Sequence, residues 1–227
     1  MPTLAPGVAK SKPDLQLIRC QNRKSLNRRI PGMANTNSPF GFRQYSGTGS
    51  SPTYEQNVRK IASNNTTAIF FGDAVIPLNT GYIAQATAST VQLAGIFAGC
   101  KYLSTSQKRT VWSNFWPGAD AAADVEAYVI DDPNAKFLVQ AGGTAVTLAD
   151  IGSNIQLNVG TGNTATGISG MYAESVATTI TLPFKVVGLV QDPPGANGTD
   201  ATSAYNQIIV QFNNTAARAN GAGPVGI

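Results

Sequence analysis

The chain has 227 residues, of which 42% are hydrophobic and only 12% charged, and it contains no histidine. Soluble domains average about 25% charged residues, so this surface relies on amides, hydroxyls and partners rather than on ion pairs. Serine–histidine–acid triads and cysteine–histidine dyads are excluded, and no apolar run near 18 residues indicates a membrane span.

Residues 1–60 read as an extended basic arm. They hold ten basic groups against two acids, a net +8, whereas residues 61–227 hold six basic and ten acidic groups, a net −4. Pro2, Pro6, Pro13, Pro31, Pro39 and Pro52 recur through the arm, and its start, MPTLAPGVAKSKP, lacks the apolar core of a signal peptide. Residues 15–20 (LQLIRC) suit a short strand or a helical turn, broken at Arg28-Arg29-Ile30-Pro31-Gly32. A segment of this composition cannot form a core alone, so an ordered arm implies a surface to lie on. A basic arm fits an acidic protein surface, a membrane or a nucleic acid. The binding candidates are Arg19, Arg23, Lys24, Arg28, Arg29 and Arg43, with Phe40, Phe42 and Tyr45 as alternating aromatic anchors. The mixture matches no specific nucleic-acid module.

Strand-like runs begin near Ile61. Residues 67–71, 74–78, 82–88 and 91–97 are rich in β-branched, aromatic and small residues, and Gly72-Asp73, Asn79-Thr80-Gly81 and Ala98-Gly99-Cys100 separate them. Tyr102 suits the start of a further pairing segment. Residues 104–117 (STSQKRTVWSNFWP) hold both tryptophans. Trp112 and Trp116 stand four apart and share a face in either a helix or a strand, and pattern alone leaves the two open. Trp112, Phe115 and Trp116 are candidates for the core or for an oligomer interface.

Residues 124–140 (DVEAYVIDDPNAKFLVQ) show the clearest alternation. Two period-2 runs, 125–130 and 136–140, flank Asp131-Asp132-Pro133-Asn134, whose side chains and fixed proline φ favour a turn. The spacing predicts a β-hairpin. Neither side of the first run is fully polar, which suits a strand covered on both faces or set in an interface. Residues 146–151 are a strand or a helical turn. Residues 154–159, 171–175, 178–182, 184–190 and 206–212 are further strands, and Pro183 marks an edge or a register break. The segments 160–170 (GTGNTATGISG) and 192–203 are loops. About eight to ten short strands with regular turn signals predict an all-β fold, a single antiparallel β-barrel or sandwich domain over residues 61–213. A long extended N-terminal arm precedes it and a flexible tail, 214–227, follows.

Little of this carries chemistry. Asp120, Asp124, Asp131 and Asp132 form the densest carboxylate group but lack the spacing of a calcium loop, and Asp131-Asp132 is already explained as a turn. The 160–170 loop lacks the lysine of a phosphate-binding loop and the βαβ context of a dinucleotide site. Cys20 and Cys100 fit neither a disulfide framework nor a CxxC site. No cofactor, metal or enzymatic activity is expected.

The segments FFGDAVIPLNTGY (70–82), QLAGIFAGCKY (92–102), WSNFWPG (112–118), VEAYVIDDPNAKFLVQ (125–140), LADIGSNIQLNVGTGNTATGISG (148–170) and FKVVGLVQDP (184–193) together resemble small structural proteins of tailed-phage virions, of the head-decoration or cement kind. The resemblance covers roughly residues 68–213. It implies a β-rich domain on the outer surface of the capsid, often a trimer or dimer, bound to the major capsid protein with arms that bridge capsomers. Arg19, Arg23, Lys24, Arg28 and Arg29 would then pair with acidic capsid surfaces, and Phe40, Phe42 and Tyr45 would be anchors. Other functions fit the same sequence: a tail, head-fibre or adsorption protein, a carbohydrate-binding module or hydrolase with an exposed aromatic groove around Trp112 and Trp116 or opposed carboxylates, and a free nucleic-acid-binding protein.

Overall fold

The computed structural model describes residues 35–190 and 203–216. They form an all-β sandwich of two antiparallel sheets. In chain order the strands are β1 (Arg43–Ser46), β2 (Asn57–Ile61), β3 (Ala74–Pro77), β4 (Ile83–Gln85), β5 (Gly95–Leu103), β6 (Thr110–Ser113), β7 (Val125–Ile130), β8 (Lys136–Gln140), β9 (Asn154–Asn158), β10 (Tyr172–Ala177), β11 (Phe184–Leu189) and β12 (Gln207–Phe212). The first sheet runs β1-β8-β12-β11-β9-β10, and the second runs β2-β7-β5-β3-β4 with β6 also on β5. The sheets stay open, so the architecture is a sandwich and not a barrel. Residues 146–151 contain a 3-10 turn, Leu148–Asp150, which Asp150 closes by accepting from the backbone and hydroxyl of Thr147.

The period-2 runs at 125–130 and 136–140 are strands to the residue, but they do not form a hairpin. β7 pairs with β2 on one side and β5 on the other, while β8 pairs with β1 and β12. Both hydrogen-bonding edges of each strand are therefore filled, and none is left for the other. The segment between them carries the chain from one sheet to the next. Its turn chemistry is as expected: the Asp132 carboxylate accepts from the Asn134 N–H and the Asp132 carbonyl from the Ala135 N–H.

Two apolar clusters hold the molecule together. The larger lies between the sheets and gathers Phe137, Val139, Ile155, Leu157, Phe184, Val186, Ile208, Val210 and Phe212 from the first sheet with Ala74, Ile96 and Ile130 from the second. The smaller, on the other face of the second sheet, holds Val75, Phe97, Cys100, Tyr102, Val125, Ala127 and Val129, with Ile69 and Trp116 bridged across it. The second sheet is thus apolar on both faces, which accounts for the mixed faces of its strands. A β-bulge between Phe97 and Gly99 shifts the alternation of β5, so Phe97, Cys100 and Tyr102 all reach the smaller cluster. Ala98-Gly99-Cys100, read as a strand end, is this bulge, and β5 runs on through Leu103. The run expected at 91–97 becomes strand only from Gly95, because Leu93 bonds the C-terminal segment at Asn214 and Ala216 instead. Residues 178–182 are a connection and not a strand. Ile180 is exposed there, and the Asn213 amide donates to the Ile180 and Leu182 carbonyls.

The β structure also begins well before residue 61. Ser38 donates its N–H to the buried Gln140 side chain, whose amide donates back to the Thr36 carbonyl. β1 and β2 follow within the stretch assigned to the arm. At the other end Asn214 and Thr215 are buried, beyond the expected limit of 213.

Gly95 shows how tightly the sheet is drawn. Its φ is +153°, and a Cβ there would lie 2.5 Å from the Ile130 carbonyl oxygen and 2.5 Å from Val129 Cγ1. Gly95→Ala is expected to cost about 1–3 kcal/mol through overpacking, read as a lowered denaturant midpoint. Gly143→Ala, with no atom within 4 Å of its Cβ, is the matched control and is expected to be near neutral.

Candidate interaction surface

The aromatic and basic residues proposed as anchors separate into different environments. Phe42 is 1% exposed and its ring stacks on Phe184 at 4.4 Å, so it belongs to the core. Tyr45 is 50% exposed, and Arg43 is exposed with its guanidinium 4.9 Å from the centroid of the Phe40 ring. Arg43 and Tyr45 lie on β1, an edge strand of the first sheet. Gln44 ties β1 to the following connection by donating to Thr53 and accepting from the Tyr54 N–H. A cavity of about 340 Å³ opens beside β1, bounded by Phe42, Arg43, Tyr54, Gln56, Ile96 and Ala98. Arg19, Arg23, Lys24, Arg28 and Arg29 lie outside the described residues, as do residues 15–20.

The tryptophans divide as well. β6 ends at Ser113, so the alternation does not carry through to Trp116. Trp116 is fully buried, meets Tyr102 edge to face at 5.1 Å, and its Nε1 has no hydrogen-bond partner among the described residues. Phe115 is half-buried and stacks on Phe70 at 5.6 Å. Trp112 is 66% exposed on β6.

Trp112 sits on a face that the first sheet leaves uncovered. Glu126, Tyr128 and Ile130 share one side of β7. Ile130 lies in the inter-sheet cluster, whereas Tyr128 and Glu126 are half-buried. Tyr128 pairs with Gly99 across β5, and Lys101 pairs with both Glu126 and Trp112. With no side chain on Gly99 between them, the Trp112 and Tyr128 rings approach to 5.8 Å and lie 6° from parallel. Lys101 Nζ stands 5.3 Å from the Trp112 ring centroid and 3.1 Å from Glu126. An open depression of about 620 Å³ is formed here by Gln56, Gly99, Trp112, Ser113, Asn114 and Tyr128. It shares Gln56 and Ala98 with the cavity beside β1. Tyr128 and Gln56 were not singled out from the sequence. The alternation of β7 puts Tyr128 opposite Val129, but the uncovered end of the sheet is a tertiary fact.

The carboxylates are structural. Asp131 accepts from the Asn57 amide at 2.7 Å and the Arg59 guanidinium at 3.0 Å, joining β2 to the crossover. Asp120 accepts from Ser104, Thr105 and Ser106, with the Ser104 hydroxyl at 2.7 Å, and these bonds hold its carboxyl down to about 2. Tyr82 donates to Asp124, which raises the phenol. Asp73 is buried, and desolvation raises its carboxyl despite hydrogen bonds from the Phe70 N–H, Ser169 and Gln85. Burial pushes the free Cys100 thiol up to about 12, the range of an inert thiol. Among the described residues no group of three or more acidic or cysteine side chains is placed to hold a metal, and no helix is long and apolar enough to cross a membrane. The glycines of the 160–170 loop serve close backbone approach: a Cβ on Gly160 would meet the Gly170 carbonyl, and one on Gly162 the Phe70 ring.

The geometry therefore defines an open two-sheet sandwich with an exposed aromatic face and an exposed edge strand. No protein-family model matches the chain, and neither a curated protein nor a solved structure matches it.

Proposed function

We infer that the protein is a capsid decoration protein of a tailed phage, a β sandwich that binds the outer lattice of major capsid subunits and stabilises the head by bridging neighbouring capsomers. The observation that carries this reading is the position of β1. It is an edge strand with Arg43 and Tyr45 turned outward, and it follows residues 1–34, which hold seven basic groups against one acid. A cationic stretch leading into an exposed edge suits a surface of opposite charge. Phe42 is withdrawn from the contact set because it completes the core. The remaining contacts are Arg19, Arg23, Lys24, Arg28, Arg29, Phe40, Arg43 and Tyr45, and self-association as a trimer or dimer would multiply their effect. The resemblance of residues 68–213 to head-decoration proteins supports the same assignment.

Gold-labelled antibody against the chain, applied to purified particles, locates it. Label distributed over the head shell is the expected result. Label confined to the tail or to protruding fibres would instead support an adsorption role.

A further inference from the structure

We propose that the depression between β5, β6 and β7 is a binding site for a neutral hexopyranose chain, with Trp112 and Tyr128 as its stacking surface. The inference does not rest on the capsid reading.

Three observations converge on a sugar. First, the aromatic surface is presented and not hidden: Trp112 is 66% exposed and nearly parallel to Tyr128, the two rings meeting over Gly99. A pyranose ring offers a flat C–H face that covers such a surface and removes apolar area from water. Second, the polar groups around the rings are neutral and open. The Tyr128 hydroxyl, the Gln56 amide and the Trp112 indole N–H have no hydrogen-bond partner among the described residues. Asn114 donates its amide N–H to the Thr166 carbonyl. Amide and hydroxyl groups of this kind both donate and accept, as ring hydroxyls require. Third, no charged side chain lines the depression. Lys101, whose Nζ stands 5.3 Å from the Trp112 ring centroid, is paired with Glu126. A phosphate or an acidic chain would find no unpaired charge there, whereas a neutral polyhydroxyl ligand needs none. The depression, about 620 Å³ and open at the surface, admits a few sugar rings of a longer chain. Trp116 takes no part, because it is buried beneath the other face of the sheet.

The test uses the full chain with cellohexaose, maltohexaose and chitohexaose as probes, and a ten-residue oligothymidylate as a stacking ligand without a sugar face. The readout is the indole N–H resonance of Trp112, assigned by its loss in Trp112→Ala. At least one hexasaccharide is expected to shift that resonance with a Kd in the range of about 0.1–10 mM, and Tyr128→Ala and Gln56→Ala each to weaken binding by about tenfold. Trp112→Ala is expected to keep the thermal midpoint of the parent, since the ring is exposed. No shift with any of the three sugars at about 10 mM would overturn the proposal. So would a shift produced by the oligothymidylate alone.

Discussion

Phe42→Ala is expected to lower stability by about 3–5 kcal/mol, the range for deleting a fully buried phenylalanine. Phe42 stacks on Phe184, Phe184 lies 5.7 Å from Phe212, and Phe212 meets Phe137 at 4.9 Å. The four rings join the segment before β1 to β11, β12 and β8 inside the inter-sheet cluster. Removing one member leaves a cavity that its rigid neighbours fill poorly. The paired variant Tyr45→Ala changes a half-exposed side chain three residues away and is expected to shift stability by less than about 0.5 kcal/mol. Urea denaturation of the two variants separates the readings. If position 42 belonged to an arm, both would leave the midpoint where it was.

The second large effect is expected at Asp73, and its size depends on the replacement. The carboxylate accepts from the Phe70 N–H and the Gln85 amide, both at 2.8 Å, and from Ser169, so it ties the 70–73 turn to β4 and to the 160–170 loop. Asp73→Ala strands these donors in the interior and is expected to cost about 3 kcal/mol. Asp73→Asn keeps an acceptor oxygen for two of them and abolishes a buried charge, so its cost at neutral pH is expected to be below about 1 kcal/mol. Burial raises the folded-state pKa of Asp73 above its ordinary value. Its stabilising contribution is therefore complete below the unfolded pKa of about 3.9 and is lost as pH rises through the folded value. Relative to Asp73→Asn, the parent should lose stability as pH climbs above that range. A constant difference between the two proteins from pH 3 to pH 7, taken from denaturation midpoints, would show that Asp73 has the same pKa in the folded and unfolded chain and would contradict the shift.

Local pattern and long-range partnership were unequally legible. The limits of β7 and β8 follow from period-2 alternation and from the turn residues at 131–134, because both are properties of a few adjacent residues. Their partners do not, since alternation fixes which side chains share a face but not which strand fills each edge. The hairpin expectation failed on that point alone. Residues 35–60 were assigned to the arm because their proline and small-residue content lacks a sustained apolar period. Gln140 and Phe184, distant in sequence, supply the contacts that fix them. Trp112 and Trp116 share a parity, but the strand ends between them, and one ring becomes the core of a cluster while the other faces solvent. The aromatic depression was half visible: Trp112 was named, while Tyr128 and Gln56 depend on where the first sheet stops covering the second. The fold class was accessible because short strands separated by glycine, proline and asparagine turns, twelve among the described residues, leave repeated short-range signals.

Capsid decoration is tested most directly by co-sedimenting the purified full chain with heads stripped of it, beside a chain that starts at residue 35 and a full chain carrying Arg43→Glu and Tyr45→Ala. The full chain is expected to restore occupancy to a fixed number of copies per capsomer. Removal of residues 1–34 is expected to weaken binding by about a hundredfold or more, with a steep loss of the full chain's own binding as salt is raised. The edge-strand variant is expected to weaken it by about tenfold while its thermal midpoint stays unchanged. Failure of the full chain to bind stripped heads, or equal occupancy by all three proteins, would contradict the assignment.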